Sequence, residues 1–255
     1  MSRFLSARFQ ALEAYVPGEQ PQDMQYIKLN TNESPFPPAP AVREALNAAE
    51  IDRLNLYPDP EGRALREKLA DFYGVGVENV FLANGSDELL NFFFMAFCDR
   101  DRPVAYPAVS YGFYPVYASL YGLPAWEVPL REGFRLEPAD YCGIGKNVVI
   151  ANPNAPTGRA IGAADIARIA ESNPDHVVLI DEAYIDFGGE SCLPLTKKYE
   201  NLLVCQTFSI PLPGGGAAGL RHRQSGSHRG PGQDKVLHQL LQHQPPDHGR
   251  RHRHH

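Results

Sequence analysis

The sequence predicts an α/β domain with a mostly parallel β-sheet covered by helices on both faces. Short apolar runs alternate with amphipathic stretches between residues 41 and 207, as expected when parallel strands are joined by crossover helices. Several of the runs are apolar almost throughout, which is typical of strands buried on both faces of a sheet. In such a domain, active-site side chains are expected at the carboxyl ends of the strands.

The elements can be placed in order along the chain. Helical periodicity predicts helices at residues 41–50, 61–73, 87–98, 111–121 and 163–171. Short apolar runs predict strands at residues 80–83, 103–106, 125–129, 147–151, 177–180 and 202–206. Residues 1–40 are predicted to form an N-terminal arm, because segment 15–40 contains six prolines and few periodic apolar residues. Residues 41–209 then form the domain.

The composition changes abruptly after Ser209. The net charge of -6 divides into -11 for residues 1–209 and +5 for residues 210–255, which also hold eight of the nine histidines. Residues 210–232 contain seven glycines and three prolines, too many for a helix or strand to persist. Residues 210–255 are therefore predicted to be a disordered tail.

Several classes of protein are excluded by composition. The four cysteines show neither a CxxC pair nor a metal-ligand spacing, so we expect free thiols in a reducing compartment and no metal site. The N-terminal residues lack an apolar leader, and no run approaches the ~18 apolar residues of a membrane span. The sequence thus predicts a cytoplasmic protein without membrane or nucleic-acid partners.

An anion site is the first chemical feature that the sequence suggests. The apolar run 80–83 leads into Asn84-Gly85-Ser86-Asp87-Glu88, and the next helix is predicted to begin at Ser86 or Asp87. The free backbone N–H groups at a helix start favour a phosphate. The alternative is an ordinary N-cap formed by Ser86 or Asp87.

Two further motifs follow apolar strands. Asn152-Pro153-Asn154-Ala155-Pro156-Thr157-Gly158 follows strand 147–151 and offers either polar contacts or a structural Asx turn. Asp181 follows strand 177–180, where a carboxylate is costly unless it meets a cation. A protonated pyridine nitrogen is one such partner, and Tyr184 could reach the neighbouring ring oxygen. A metal ligand or a structural salt bridge is the alternative role for Asp181.

Together these motifs resemble the fold-type I pyridoxal-phosphate aminotransferases, and most closely the histidinol-phosphate aminotransferases. The resemblance runs from about residue 10 to 209. Further signatures are Ile27-Lys28-Leu29-Asn30-Thr31-Asn32-Glu33-Ser34-Pro35, Leu56-Tyr57-Pro58-Asp59-Pro60, Ser110-Tyr111-Gly112-Phe113-Tyr114 and Gln206-Thr207-Phe208-Ser209. The resemblance implies an incomplete large domain of that fold, an α/β/α arrangement without the C-terminal small domain.

The resemblance also implies a cofactor, pyridoxal 5'-phosphate, and a role for individual residues. The implied cofactor contacts are Ser86, Asp87 and Ser209 at the phosphate, Tyr111 stacked on the ring, Asp181 at the ring nitrogen, Tyr184 at the ring hydroxyl, and Tyr57 from a partner subunit of a homodimer. Tyr15 would lie near the substrate. The family's ring-contacting asparagine falls at Ala155, and Asn154 is its predicted substitute.

One essential residue of the family pattern is absent. The lysine that follows Thr-Phe-Ser, which forms a Schiff base with the cofactor and relays the proton, is replaced by Ile210. The resemblance therefore implies a chain without a catalytic residue, with impaired cofactor binding and no activity of its own.

A shift of reading frame accounts for both the missing lysine and the altered composition. Codons can be chosen for Ile210 to Arg223 such that dropping the first base encodes Ser-Arg-Ser-Leu-Ala-Gly-Gly-Arg-Leu-Gly-Phe-Ala-Ile. The same shift lets Asp234 to Gln244 encode Ile-Lys-Tyr-Ser-Thr-Asn-Ser-Tyr-Asn-Ile-Asn. Both peptides resemble the continuation of the family, so we hypothesise a frameshift at the lysine codon that truncates the family sequence.

The implied activity is transamination of histidinol phosphate with 2-oxoglutarate, a reaction of histidine biosynthesis, so the implied substrates are histidinol phosphate or imidazole acetol phosphate and glutamate or 2-oxoglutarate. Another fold-type I enzyme, such as a phospho-amino-acid decarboxylase or an aromatic aminotransferase, is the alternative within the same fold. A different alternative is a non-catalytic remnant whose His-rich basic tail binds a metal or a polyanion. The tail has neither aromatic interleaving nor a recognisable nucleic-acid module, which disfavours this last alternative.

Overall fold

In the computed structural model of the chain, residues 40–46 and 55–209 are described. The helices are α1 (Pro40–Leu46), α2 (Arg63–Tyr73), α3 (Gly85–Phe97), α4 (Phe113–Tyr121) and α5 (Ala163–Ser172). The strands are β1 (Val104–Pro107), β2 (Ala125–Val128), β3 (Asn147–Ala151), β4 (Val178–Asp181) and β5 (Leu202–Cys205). Short 3-10 helices occupy Val77–Asn79, Glu132–Phe134, Pro138–Tyr141, Ile185–Phe187 and Leu193–Lys197.

The five strands form one sheet in the order β2-β1-β3-β4-β5. All four pairings are parallel, which confirms the predicted fold class. The register pairs Ala151 with Asp181 and Asp181 with Cys205, so the carboxyl ends of β3, β4 and β5 lie side by side. Functional groups that follow these three strands are thereby brought to one edge of the sheet.

The core lies on both faces of the sheet. Strand β4 shows the alternation, since Leu179 packs on the side of α3 and α4 whereas Val178 and Ile180 pack on the side of α5. All three side chains are fully buried, and burial of each contributes about 1.5–3 kcal/mol. Burial on both faces explains why the strands are apolar in consecutive positions rather than in alternate ones.

The predicted helices and strands agree with the structure within about two residues at the described ends, with one exception. Residues 80–83 were predicted to form a strand and do not, so that prediction is wrong. The backbone at Val80 is extended, but its carbonyl accepts a hydrogen bond from Arg66 Nε at 2.8 Å. An apolar run becomes a strand only when a neighbour supplies a ladder, and no described strand lies beside it. The predicted arm (1–40) lies outside the described residues except for Pro40, which begins α1. Residues 47–50 and the tail (210–255) also lie outside them.

Candidate active site at the carboxyl edge of the sheet

Asp181 ends β4 and is the central charged group of this edge. Its side chain is buried, with 4% of its surface exposed. Its Oδ2 accepts a hydrogen bond from the Tyr114 hydroxyl at 2.9 Å, and its Oδ1 accepts one from the Ala183 N–H at 3.1 Å. Burial nevertheless raises the pKa of Asp181 to about 6. Two donors do not compensate for the lost hydration, so this carboxylate is suited to a cationic partner.

Three tyrosines in and just before α4 direct their hydroxyls towards acidic residues. Tyr114 and Tyr117 are three residues apart and share one face of α4, and Tyr111 lies just before the helix. Tyr114 donates to Asp181, whereas Tyr111 donates to Asp87 Oδ1 at 2.7 Å. The Tyr111 and Tyr114 rings meet edge to face, with centroids 5.6 Å apart. These tyrosines thereby connect the start of α3 to the end of β4.

Helix α3 begins at Gly85, which adopts a φ of 83° that favours glycine. The N-cap is Asn84, without a side-chain capping bond, so neither Ser86 nor Asp87 forms the cap. Instead the Asn84 N–H donates to Glu88 Oε2 at 2.6 Å, and the Gly85 N–H donates to the Ala83 carbonyl. The N–H groups of Ser86 and Asp87 are those that the helix geometry leaves for an anion.

The turn after β3 is held by its own asparagines. Asn152 exchanges hydrogen bonds with the backbone of Ile161, at 3.1 and 2.9 Å. Asn154 Nδ2 donates to the Val109 carbonyl and to Thr157 Oγ1, both at 2.9 Å, while its Oδ1 accepts from Ser110 Oγ at 2.7 Å. These contacts favour a structural role for the turn. A cofactor contact by Asn154 would use the remaining lone pair of Oδ1.

Three of the other predicted site residues lie within the described part of the chain. Tyr184 is partly buried three residues beyond Asp181, and Ser209 is exposed, with its Oγ 2.7 Å from Thr207 Oγ1. Tyr57 is fully exposed and therefore accessible to a partner. Tyr15 and Ile210 lie outside the described residues. A cavity of about 270 Å³ is lined by Asn152 and Asn154 but does not include Asp181.

Glu182 is a buried acidic residue that the sequence analysis missed. It is 1% exposed and accepts hydrogen bonds from Ser191 Oγ, the Cys192 N–H and Gln206 Nε2 at 2.7–2.8 Å. Glu182 thus joins the end of β4 to the exit of β5. Tyr114 was also missed, although its three-residue spacing from Tyr111 could have indicated it.

The described residues also bear on metal binding and on membrane insertion. No group of three or more His, Cys, Asp or Glu side chains there could hold a metal ion. None of the helices in the same segments is both long and apolar enough to cross a membrane.

A parallel α/β sheet with a buried carboxylate and a helix start at its carboxyl edge is typical of an enzyme that binds a phosphorylated cofactor. The sequence profile of the family "Aminotransferase class I and II" matches residues 24–222. The chain belongs to this family. The match continues beyond Ser209, where the composition changes.

Individual relatives agree with this membership. The chain is 54% identical over 209 residues to histidinol-phosphate aminotransferase of Acetobacter pasteurianus, an alignment that covers 82% of this chain and 59% of the relative. It is 49% identical over 210 residues to the enzyme of the same name from Brachyspira hyodysenteriae, with 82% and 59% covered. The chain thus spans about 59% of the length of these curated relatives.

A solved structure shows the same fold. The histidinol-phosphate aminotransferase of Sinorhizobium meliloti, solved with pyridoxal-5'-phosphate, superposes with a TM-score of 0.73 at 23% sequence identity. The superposition covers 88% of this chain and 62% of that one. At this identity the likeness establishes the fold alone.

Proposed function

We propose that this chain is the cofactor-binding part of a pyridoxal-phosphate aminotransferase of histidinol phosphate, and that in its present sequence it is inactive. The full reaction would exchange the amino group of histidinol phosphate with 2-oxoglutarate, giving imidazole acetol phosphate and glutamate. The buried Asp181 carboxylate, with its pKa raised to about 6 by burial, is the observation that carries the proposal. The 54% identity to a histidinol-phosphate aminotransferase supports the choice of substrate.

The described residues fit pyridoxal 5'-phosphate. Asp181 offers a negative charge to the pyridine N–H⁺, and the N–H groups of Ser86 and Asp87 offer two donors to the phosphate. The partly buried Tyr111 ring, packed at 5.7 Å against Phe113, offers an aromatic face. When bound, the cofactor supplies a protonated ring that accepts electrons from the substrate carbon. The task of this chain is to hold that ring proton at Asp181.

The remaining proposed roles depend on position. Tyr184 would donate its hydroxyl to the ring oxygen, and Ser209 would add a hydroxyl at the phosphate. Asn154 would use its free Oδ1 lone pair on the ring hydroxyl side. Tyr57, which is fully exposed in one chain, would reach the site of the partner subunit in a homodimer. Tyr15 would contact the substrate.

The proposed inactivity depends on residue 210. Isoleucine has a hydrocarbon side chain, which can neither attach to the cofactor nor carry a proton between carbon atoms. A frameshift after Ser209 would also replace everything that the family places downstream. Binding of the cofactor would then depend on non-covalent contacts alone, and it would be weaker than in the intact family.

A comparison of three chains tests this proposal: the present chain, its Ile210→Lys variant and a chain with the frame restored after Ser209. We expect non-covalent cofactor binding by the first, and no transfer of an amino group from histidinol phosphate to 2-oxoglutarate by the first two. The frame-restored chain should transfer it. Borohydride reduction followed by mass spectrometry should locate a stoichiometric covalent adduct only where a lysine stands at position 210. Transamination by the present chain would contradict the inactivity, and an inactive frame-restored chain would contradict the assigned reaction.

A further inference from the structure

Asp87 lies in the first turn of α3, but its side chain is directed towards the residues around the start of α4. Its Oδ1 accepts a hydrogen bond from the Tyr111 hydroxyl at 2.7 Å and lies 3.5 Å from the Tyr117 hydroxyl. The Tyr117 hydroxyl also donates to the Asp87 carbonyl oxygen at 3.0 Å. Two tyrosines therefore hold a single residue of α3, one through its side chain and one mainly through its backbone.

The Asp87 carboxylate has no capping duty at the start of the helix. The N-cap N–H, that of Asn84, donates to Glu88 Oε2, so a different carboxylate serves that position. A carboxylate is also a poor phosphate ligand, because two negative charges repel each other and neither donates a hydrogen bond. The backbone N–H of Asp87 faces no such conflict and remains suited to an anion.

The Tyr111 ring is fixed on several sides. It stacks on Phe113 with an interplanar angle of 21° and meets Tyr114 edge to face. Burial, followed by the hydrogen bond to Asp87, raises the pKa of Tyr111 well above its ordinary value, so the hydroxyl remains a donor. A hydrogen bond to a charged acceptor is stronger than one between neutral groups. The Asp87 carboxylate thus fixes the hydroxyl end of a ring that also contacts Phe113 and Tyr114.

We infer that Asp87 is a positioning residue whose carboxylate sets the plane of the Tyr111 ring, while its backbone N–H serves the phosphate. The inference rests on the proposed function, in which the Tyr111 ring stacks on the pyridine ring of the cofactor. Side chain and backbone of one residue thus act on two different parts of the ligand. This division orients the ring and anchors the phosphate from the same turn of α3.

A double-mutant cycle on the full chain tests the inference, with pyridoxine 5'-phosphate as the probe, because this compound has no aldehyde and its binding needs no lysine. Calorimetry should show binding about 10-fold weaker for Asp87→Ala and for Tyr111→Phe. The double variant should also be about 10-fold weaker rather than about 100-fold, since either change breaks the same bond. Asp87→Asn, which retains an acceptor oxygen, should stay within about 3-fold of the unchanged chain.

Asp165→Asn is the matched control, because it removes a charge from the first turn of α5 instead; it should leave affinity unchanged. Additive losses in the double variant, or an Asp87→Asn variant as weak as Asp87→Ala, would overturn the inference. Near-ultraviolet circular dichroism provides a readout without ligand. The difference between the unchanged chain and Tyr111→Phe should be smaller in the Asp87→Ala background, because the ring then loses one of its fixed contacts, and an equal difference in both backgrounds would overturn the inference. If the unchanged chain does not bind the probe, the proposed function is wrong. The dichroism measurements, which need no ligand, still test whether Asp87 fixes the Tyr111 ring.

Discussion

Asp181 and Glu182 are consecutive buried acids at the end of β4, and their surroundings differ. The Asp181 side chain lies on the side of α4, where its carboxylate accepts hydrogen bonds from the Tyr114 hydroxyl and the Ala183 N–H. The Glu182 side chain contacts the segment at residues 191–192 and the exit of β5, where its carboxylate accepts three hydrogen bonds. A buried acid saturated by the protein is a structural element, whereas one left short of donors is suited to a ligand.

The largest expected effect is that of Glu182→Ala. This change leaves the buried Cys192 N–H and the partly buried Gln206 amide without the carboxylate that both contact, which should lower the free energy of unfolding by about 4 kcal/mol. Urea denaturation followed by far-ultraviolet circular dichroism measures it. Glu190→Ala, at an exposed position, is the control and should change stability little. A loss of stability in Glu182→Ala no greater than that in Glu190→Ala would contradict a structural role for Glu182.

The Asp181→Asn change should have the opposite effect and increase the free energy of unfolding. The pKa of Asp181 is about 6 in the folded chain against an ordinary value of 3.8, so the folded state binds the proton more tightly than the unfolded state. The cost of the charged group is therefore absent below about pH 4, grows as pH rises and is complete above about pH 6. The variant should gain about 3 kcal/mol at pH 7 without cofactor, and lose affinity for pyridoxine 5'-phosphate.

Urea denaturation of the Asp181→Asn variant between pH 4 and 7 measures this gain, with the exposed Asp175→Asn as the matched control. The Asp181 variant should lose the dependence on pH in this window, whereas Asp175→Asn should retain it. A variant that is less stable than the unchanged chain at pH 7 would place Asp181 with Glu182 as a structural acid.

The smallest expected effect is that of Tyr114→Phe. Loss of the hydroxyl leaves Asp181 with one donor, which raises its pKa further and lowers the free energy of unfolding at pH 7 by about 1 kcal/mol. The loss should shrink below pH 4, where Asp181 is protonated. Tyr121→Phe removes a hydrogen bond to the neutral Asn91, so its cost should be the same at both pH values. Thermal unfolding of both variants at pH 7 and below pH 4 measures these losses. An equal pH dependence in the two variants would show that Tyr114 does not act through the charge on Asp181.

The sequence predicted those residues of this edge whose role can be seen within a single segment of the chain. Asp181 could be predicted because a carboxylate at the end of a fully apolar strand is costly to bury, whatever lies around that strand. Glu182 could not, since its partners Ser191 and Gln206 come from separate segments, and nothing in the order of residues brings them together. Tyr114 belongs between these cases, because helical spacing relates it to Tyr111 but only the packing of α4 on β4 brings it to Asp181.

The same distinction applies to the fold. Strands 147–151 and 202–206 were predicted almost to the residue, because consecutive β-branched and other apolar side chains are typical of doubly covered strands. The run at residues 80–83 has comparable composition, yet a strand requires two segments and the composition describes only one of them. The cap of α3 was also misassigned, because the helix begins at Gly85 with Asn84 as its N-cap, so Ser86 and Asp87 already lie inside the first turn.

The position of β5 in the sheet has a consequence for the behaviour of the chain in solution. Within the described residues β5 pairs only with β4, so its other side is an edge of the described sheet and a template for a further strand. Its sequence, Leu-Leu-Val-Cys, contains neither the charge nor the proline that discourages pairing at an exposed strand. Chains at high concentration should therefore associate edge to edge, and a peptide that occupies this template should slow the growth of light scattering with time.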